Sequence, residues 1–217
     1  MTAMNDDQTG LEKRLKCGDA EALGELFALH RPRLWRTVSF RLTGRLAGRI
    51  DPDDVLQESY LAAANRLDHY RTEWSASPFL WLRMIVLQVL VDVHRRHLGA
   101  QKRDAERESP LFGVYTQATS ASMAIHLVGD MTSPSQAAIR GESLDLVERA
   151  IAGMEPIDQE ILALRHFEEL SNNEVAAVLN IQPKAASIRY IRALERLKEI
   201  LSTVPGLMDG QDGQRHG

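Results

Sequence analysis

Apolar residues along this chain recur at intervals of three and four, as in Leu23, Leu26, Phe27, Leu34 and Val38. Strict alternation of apolar and polar positions is confined to an ambiguous patch around residues 112–119. A period near that of the α-helix marks helices that bury one face, so the pattern predicts an all-α chain. The helix starts are well marked. Asp51-Pro52-Asp53-Asp54 supplies a capping carboxylate, a proline at the first helical position and acids in the first turn, all of which suit the unpaired N–H groups and the positive end of a helix. Ser133-Pro134-Ser135-Gln136 repeats the arrangement, Ser171-Asn172-Asn173-Glu174 is a capping box, and Asn180 with Gln182-Pro183 marks a turn and a new start.

The periodicity divides the chain into two helical blocks, 10–98 and 135–202. Between them, residues 99–134 carry serines and threonines with Pro110, Gly113, Gly129 and Pro134, lose the helical period and read as a linker. The tail, 203–217, with Pro205 and several glycines, reads as disordered. The expected architecture is two small helical domains joined by a flexible linker, the C-terminal one a helix-turn-helix.

That last element rests on three helices predicted over 156–167, 171–179 and 183–201. The middle helix is short and about three residues separate it from the long one, the tight corner a helix-turn-helix needs. Ala186, Tyr190, Ala193, Leu194, Leu197 and Leu201 share one face of the long helix, and Val175, Ala176, Val178 and Leu179 supply the surface it meets. The opposite face carries Lys184, Ser187, Ile188, Ile191, Arg192 and Glu195, flanked by Arg189, Arg196 and Lys198. Ile188 and Ile191 point outward on this reading, which suits a thymine methyl or a protein partner. The chain as a whole is acidic, with 26 Lys and Arg against 30 Asp and Glu. A general nucleic-acid coat is thereby excluded, but a basic helix set on an acidic protein is what a groove reader requires. A solvated basic face on an ordinary helical hairpin is the plainer alternative.

In the N-terminal block, Val55, Leu56, Ser59 and Ala63 face a core, while Asp54, Gln57, Glu58 and Leu61 form a second stripe at helical spacing. Such a stripe could dock a basic helix of another protein, or simply be solvated. Downstream, Tyr70, Trp74, Phe79 and Trp81 fall close together, and the following helix ends in His94-Arg95-Arg96-His97, with Lys102 and Arg103 beyond. Aromatics interleaved with bases suit unstacked nucleotides. The alternative is that Phe79, Trp81, Leu82, Ile85 and Val89 fill the core.

With these segments in view, the chain resembles bacterial RNA polymerase sigma factors of the extracytoplasmic-function (ECF) group. Asp51-Pro52-Asp53-Asp54-Val55-Leu56-Gln57-Glu58 is similar to the family's acidic region 2.2 motif, and 79–96, with Trp81-Leu82, Asp92 and Arg95-Arg96, to regions 2.3 and 2.4. Residues 154–198 resemble region 4, through Leu164-Arg165, Leu170-Ser171, Glu174-Val175-Ala176 and Arg192-Ala193-Leu194. The resemblance implies that Asp54, Gln57, Glu58 and Leu61 bind core RNA polymerase. It implies that Tyr70, Trp74, Trp81, Arg83, Arg95 and Arg96 lie near the melted −10 element, and that Lys184, Ser187, Ile188, Arg189 and Arg192 read the −35 duplex. The linker would then run through the polymerase's RNA exit path. Partners implied are core polymerase, promoter DNA and, in many relatives, an anti-sigma factor or other regulator. Two departures stand out: Gln88 where the family has asparagine, and Ala185-Ala186-Ser187 where a Thr-Val-Lys run is common.

The remaining features narrow the classes further. A single cysteine, Cys17, allows no internal disulfide, and no apolar run reaches the length of a membrane span. The polar N-terminus does not read as a secretory signal, so a cytoplasmic protein is expected. His94 and His97 stand without a carboxylate set, and neither a glycine-rich phosphate loop nor a nucleophile elbow is present. The expectation is a non-enzymatic protein that needs neither metal nor cofactor. An autonomous helix-turn-helix regulator is the alternative, and an adaptor that has lost promoter binding is a third reading.

Overall fold

The computed structural model describes residues 2–42, 48–74, 76–97, 111–131 and 137–204. All regular structure among them is helical: α1 (Thr2–Lys16), α2 (Ala20–Arg41), α3 (Pro52–Ala64), α4 (Leu67–Glu73), α5 (Pro78–His97), α6 (Leu111–Met131), α7 (Ala137–Ala152), α8 (Pro156–Leu162), α9 (Asn172–Leu179) and α10 (Pro183–Ser202). A π-helical turn, Ala163–Phe167, continues α8. The chain separates into two compact units, Met1–Lys102 and Arg103–Gly217.

The first unit is built around α5. Phe79, Leu80, Trp81, Leu82, Ile85, Val86, Leu87, Val89, Leu90 and Val93 are all buried, so this helix is apolar on nearly every side and must be surrounded. α2 and α3 pack on it and on each other, with α1 against α2. Leu23, Leu26, Phe27, Leu34 and Val38 line the inner face of α2, and Val55, Leu56, Ser59 and Ala63 that of α3, as their spacing predicts. Local chemistry sets the starts. The Asp19 carboxylate accepts from the Glu21 N–H at 2.9 Å to cap α2, and Asp51 accepts from the Asp53 N–H at 2.9 Å to cap α3, with Pro52 at the first helical position.

The second unit departs from the sequence expectation in one element. A flexible linker over 99–134 is not what forms over Leu111–Met131: this stretch is α6, which packs along α7 and touches α8. Thr119, Ser120, Ser122, Met123, Ala124 and Val128 are buried there. Small side chains let helices approach closely, and isolated glycines such as Gly113 and Gly129 cost a helix only about 1 kcal/mol each. Serine and threonine content is therefore a weaker linker signal than it looks. The ambiguous patch at 112–119 lies inside this helix. The rest of the expected linker, 101–110 and 132–134 included, lies outside the described residues, as does the expected disordered tail beyond Val204.

Candidate nucleic-acid and polymerase interfaces

The helix-turn-helix is assembled by caps. Ser171 Oγ accepts from the Glu174 N–H at 3.3 Å while the Glu174 carboxylate accepts from the Ser171 N–H at 2.8 Å, a complete capping box that starts α9. α9 ends at Asn180 in the left-handed conformation (φ 51°), and the Ile181 N–H returns to the Ala176 carbonyl at 3.0 Å. Asn180, Ile181 and Gln182 thus make the whole corner before Pro183, which opens α10. Asn172 closes the corner, its amide donating to the Pro183 carbonyl at 2.9 Å and its carbonyl oxygen accepting from Ser187 Oγ at 3.1 Å. The second helix is thus held to the first at its own N-terminus, the end that enters a groove.

The phase of α10 is fixed from inside. Ala186, Ala193, Leu197 and Leu201 are buried, with Tyr190 and Leu194 at the margin. Ala186 is fully enclosed, which accounts for a small residue at that position. Lys184, Ser187, Ile188, Ile191, Arg192 and Glu195 form one exposed stripe on the other side. Arg189 differs from its neighbours. Its Nη1 donates to Asp158 Oδ1 at 3.0 Å and lies 3.5 Å from Glu155 Oε2, and Arg196 approaches the other Asp158 oxygen at 3.9 Å. The Asp158 side chain is 11% exposed, so two bases of α10 converge on one nearly buried carboxylate of α8. Arg165, in the π-helical turn, donates to the Leu170 carbonyl at 2.8 Å and places its guanidinium 5.2 Å from the Tyr190 ring, a second tie to α10.

On the first unit, Asp54, Gln57, Glu58 and Leu61 all lie on the exposed face of α3, with Leu61 62% exposed. Glu58 is engaged: Arg96 Nη2, from the end of α5, meets its two carboxylate oxygens at 2.8 and 2.7 Å. Asp53, beside the stripe, pairs with Arg31 of α2 at 2.8 Å.

The aromatic cluster resolves into two groups. Tyr70 and Trp81 are buried against each other, ring centroids 4.8 Å apart, and Arg83 is buried with them in the unit. None of these three presents its ring or guanidinium at the surface in this structure: α5 turns Trp81 and Arg83 inward, and α4 brings Tyr70 onto Trp81. Burial, with a smaller contribution from the Glu12 charge, pushes the Tyr70 phenol up to about 12. Trp74, Arg95 and Arg96 remain at the surface, Trp74 half-buried with its indole N–H on the Ser77 carbonyl at 3.3 Å and Arg95 3.9 Å from Asp92. Gln88 accepts from Arg66.

Sequence reasoning missed Asn172 and Asp158. Asn172 follows a capping serine, where a short amide can reach across a tight turn; Asp158 was visible only as one acid in an acidic helix.

Comparison with known proteins bears on both units. A model of sigma-70 region 4 matches residues 144–197. The RNA polymerase sigma factor CarQ of Myxococcus xanthus is 30% identical over 192 residues, covering 87% of this chain and 94% of that protein. The ECF RNA polymerase sigma factor SigW of Bacillus subtilis is 22% identical over 189 residues, covering 87% and 94%. Among solved structures, CnrH in complex with the cytosolic domain of CnrY is similar at a TM-score of 0.49 and 22% identity, covering 88% of this chain and 95% of that one.

Proposed function

Because the chain belongs to the ECF group of bacterial RNA polymerase sigma factors, and so acts in promoter recognition and transcription initiation, we propose a division of labour among the surfaces described above. Its partners are core RNA polymerase and promoter DNA, which sets it apart from an autonomous regulator. The α3 stripe of Asp54, Gln57, Glu58 and Leu61 docks the polymerase. An exposed leucine within a row of acidic and amide side chains suits a helix that brings both bases and an apolar patch. The α10 stripe, with Lys184, Ser187, Ile188 and Arg192 outward, reads the −35 duplex, and Arg189 serves it by fixing the helix rather than by touching DNA. Trp74, Arg95 and Arg96 contribute to the −10 surface.

One observation carries this reading: the two exposed stripes have opposite character and stand on different compact units. Opening the −10 strands then draws on binding energy, with no catalytic residue and no cofactor assigned. On this reading polymerase and −10 contact belong to residues 10–98 and −35 contact to residues 135–202. The chain works in the cytoplasm, where its partners are; no helix among the described residues is long and apolar enough to cross a membrane. A protein regulator of the anti-sigma kind would act by covering one of the stripes.

The test is co-elution of the full chain with core polymerase, without DNA, at moderate salt. Asp54→Ala with Glu58→Ala abolishes the complex, while Lys184→Ala with Arg192→Ala leaves it intact and weakens promoter binding. If both pairs damage the same step, the division of labour is wrong.

A further inference from the structure

We propose that Ile188 and Ile191 are specificity residues of α10, reading the methyl groups of thymines on neighbouring base pairs of the −35 duplex. The inference rests on the assignment of α10 to duplex DNA and adds what chemistry it recognises there. Ile188 is 44% exposed and Ile191 56%, both in the middle of the outward stripe. They cannot turn inward, because Ala186, Ala193, Leu197 and Leu201 already fill the buried face and fix the helix phase. Isoleucine is neither a strong helix former nor a favoured surface residue, so two of them side by side gain nothing for the isolated unit.

Their surroundings name the occupant. Lys184 and Ser187 precede them and Arg192 follows, with Glu195 the one acid of the stripe, a basic frame that matches phosphate. Lys184 and Arg192 are about 12 Å apart along the axis at helical rise, so they flank the two isoleucines along the groove. Ile188 and Ile191 are separated by about 4.5 Å along the same axis, against about 3.4 Å between base pairs. They therefore address adjacent steps when the helix lies along the groove. On base edges in that groove, the thymine C5 methyl is the apolar group available to them. Ser187, held by Asn172, sits next to Ile188 and keeps that end of the helix from rolling.

The experiment uses holoenzyme made with the full chain. Duplexes are selected from a randomised pool, then rebuilt with deoxyuridine in place of thymidine at each A·T position of the upstream element. Removing one contacted methyl should weaken binding about fourfold, and removing two about fifteenfold, from the transfer of one methyl each. Ile188→Ala with Ile191→Ala, which substitutes a stronger helix former at exposed positions, should bind thymine and uracil duplexes equally and lose the A·T preference in selection. Equal binding of both duplexes by the unaltered chain overturns the proposal. So does a double variant that keeps its A·T preference, or one that loses polymerase and keeps DNA, which would make the pair a protein contact. Selection of no upstream element at all would instead remove the −35 assignment of α10 itself.

Discussion

Arg189 tests whether geometry can separate a DNA ligand from a residue that holds the DNA-binding helix in place. By sequence it is one more base on α10, alongside Lys184 and Arg192. In the structure its guanidinium is committed to Asp158 and Glu155, at 3.0 and 3.5 Å, with side-chain exposures of 39% for the arginine and 11% for Asp158. Among the described residues, removing it leaves Asp158 the more distant Arg196. A charge-assisted hydrogen bond to a buried group is worth about 1.5–3 kcal/mol and an exposed ion pair about 0–1. The intermediate exposure puts Arg189→Ala near 1–2 kcal/mol, about 5–10 °C in the melting temperature of a unit of this size. Its effect on the salt dependence of DNA binding should be close to nil. Lys184→Ala and Arg192→Ala should behave the opposite way. Removing a cation that neutralises one phosphate lowers the slope of log K against log salt by about 0.9, so between 50 and 200 mM salt the affinity of each variant should fall by a factor about 3.5-fold smaller than the parent's. Their melting temperatures should stay near the parent's. Circular-dichroism melts and fluorescence anisotropy of holoenzyme on a labelled promoter duplex read the two quantities separately. If Arg189→Ala flattens the salt slope by a full phosphate while leaving the melt unchanged, Asp158 is an incidental neighbour and the reasoning fails.

Two further expectations concern the first unit. Trp81→Ala should destabilise it by about 3–5 kcal/mol, the cost of emptying a fully buried ring site, whereas Trp81→Phe should cost less, because it keeps most of the ring and removes an indole N–H that is buried without a partner among the described residues; a DNA-stacking residue at the surface would leave the melt unmoved by either change. Tyr70 gives a pH signature: its folded pKa of about 12 lies above the ordinary 10.0, so its contribution to stability is complete below pH 10 and is lost as the pH rises through 12, and Tyr70→Phe should remove both this alkaline loss and a late phenolate absorbance in an ultraviolet titration.

What the sequence revealed and what it withheld follow from the range of the forces involved. Caps and periodicity are local, so the starts of α3, α9 and α10 and the buried faces of α2, α3 and α10 could be read residue by residue. The two stripes were legible for the same reason, since a helix wheel needs no knowledge of neighbours. Partners across the fold were not. Nothing near Arg189 in sequence distinguishes it from Arg192; the carboxylate that claims it is 31 residues away. Tyr70 and Trp81 show the same limit in aromatic form, since rings serve cores and nucleotides alike and only the packing reveals that these two lie against each other. In α6, small polar residues that read as a linker are tolerated because α7 is there to cover them.

The Arg96–Glu58 bridge joins a residue of the proposed −10 surface to one of the proposed docking stripe. Under the proposed roles, polymerase that takes the Glu58 carboxylate releases the Arg96 guanidinium, and DNA that takes Arg96 releases Glu58. The two ligands are then coupled with positive cooperativity, and by linkage each raises affinity for the other by the same factor. For an exposed pair of about 0.2–1 kcal/mol that factor is about 1.4 to 5. The effect is modest for one encounter, yet it has a direction. Away from the polymerase, the subunit keeps this arginine occupied, so the excess of non-promoter DNA in a cell competes less well for it than the assembled enzyme's own promoter does.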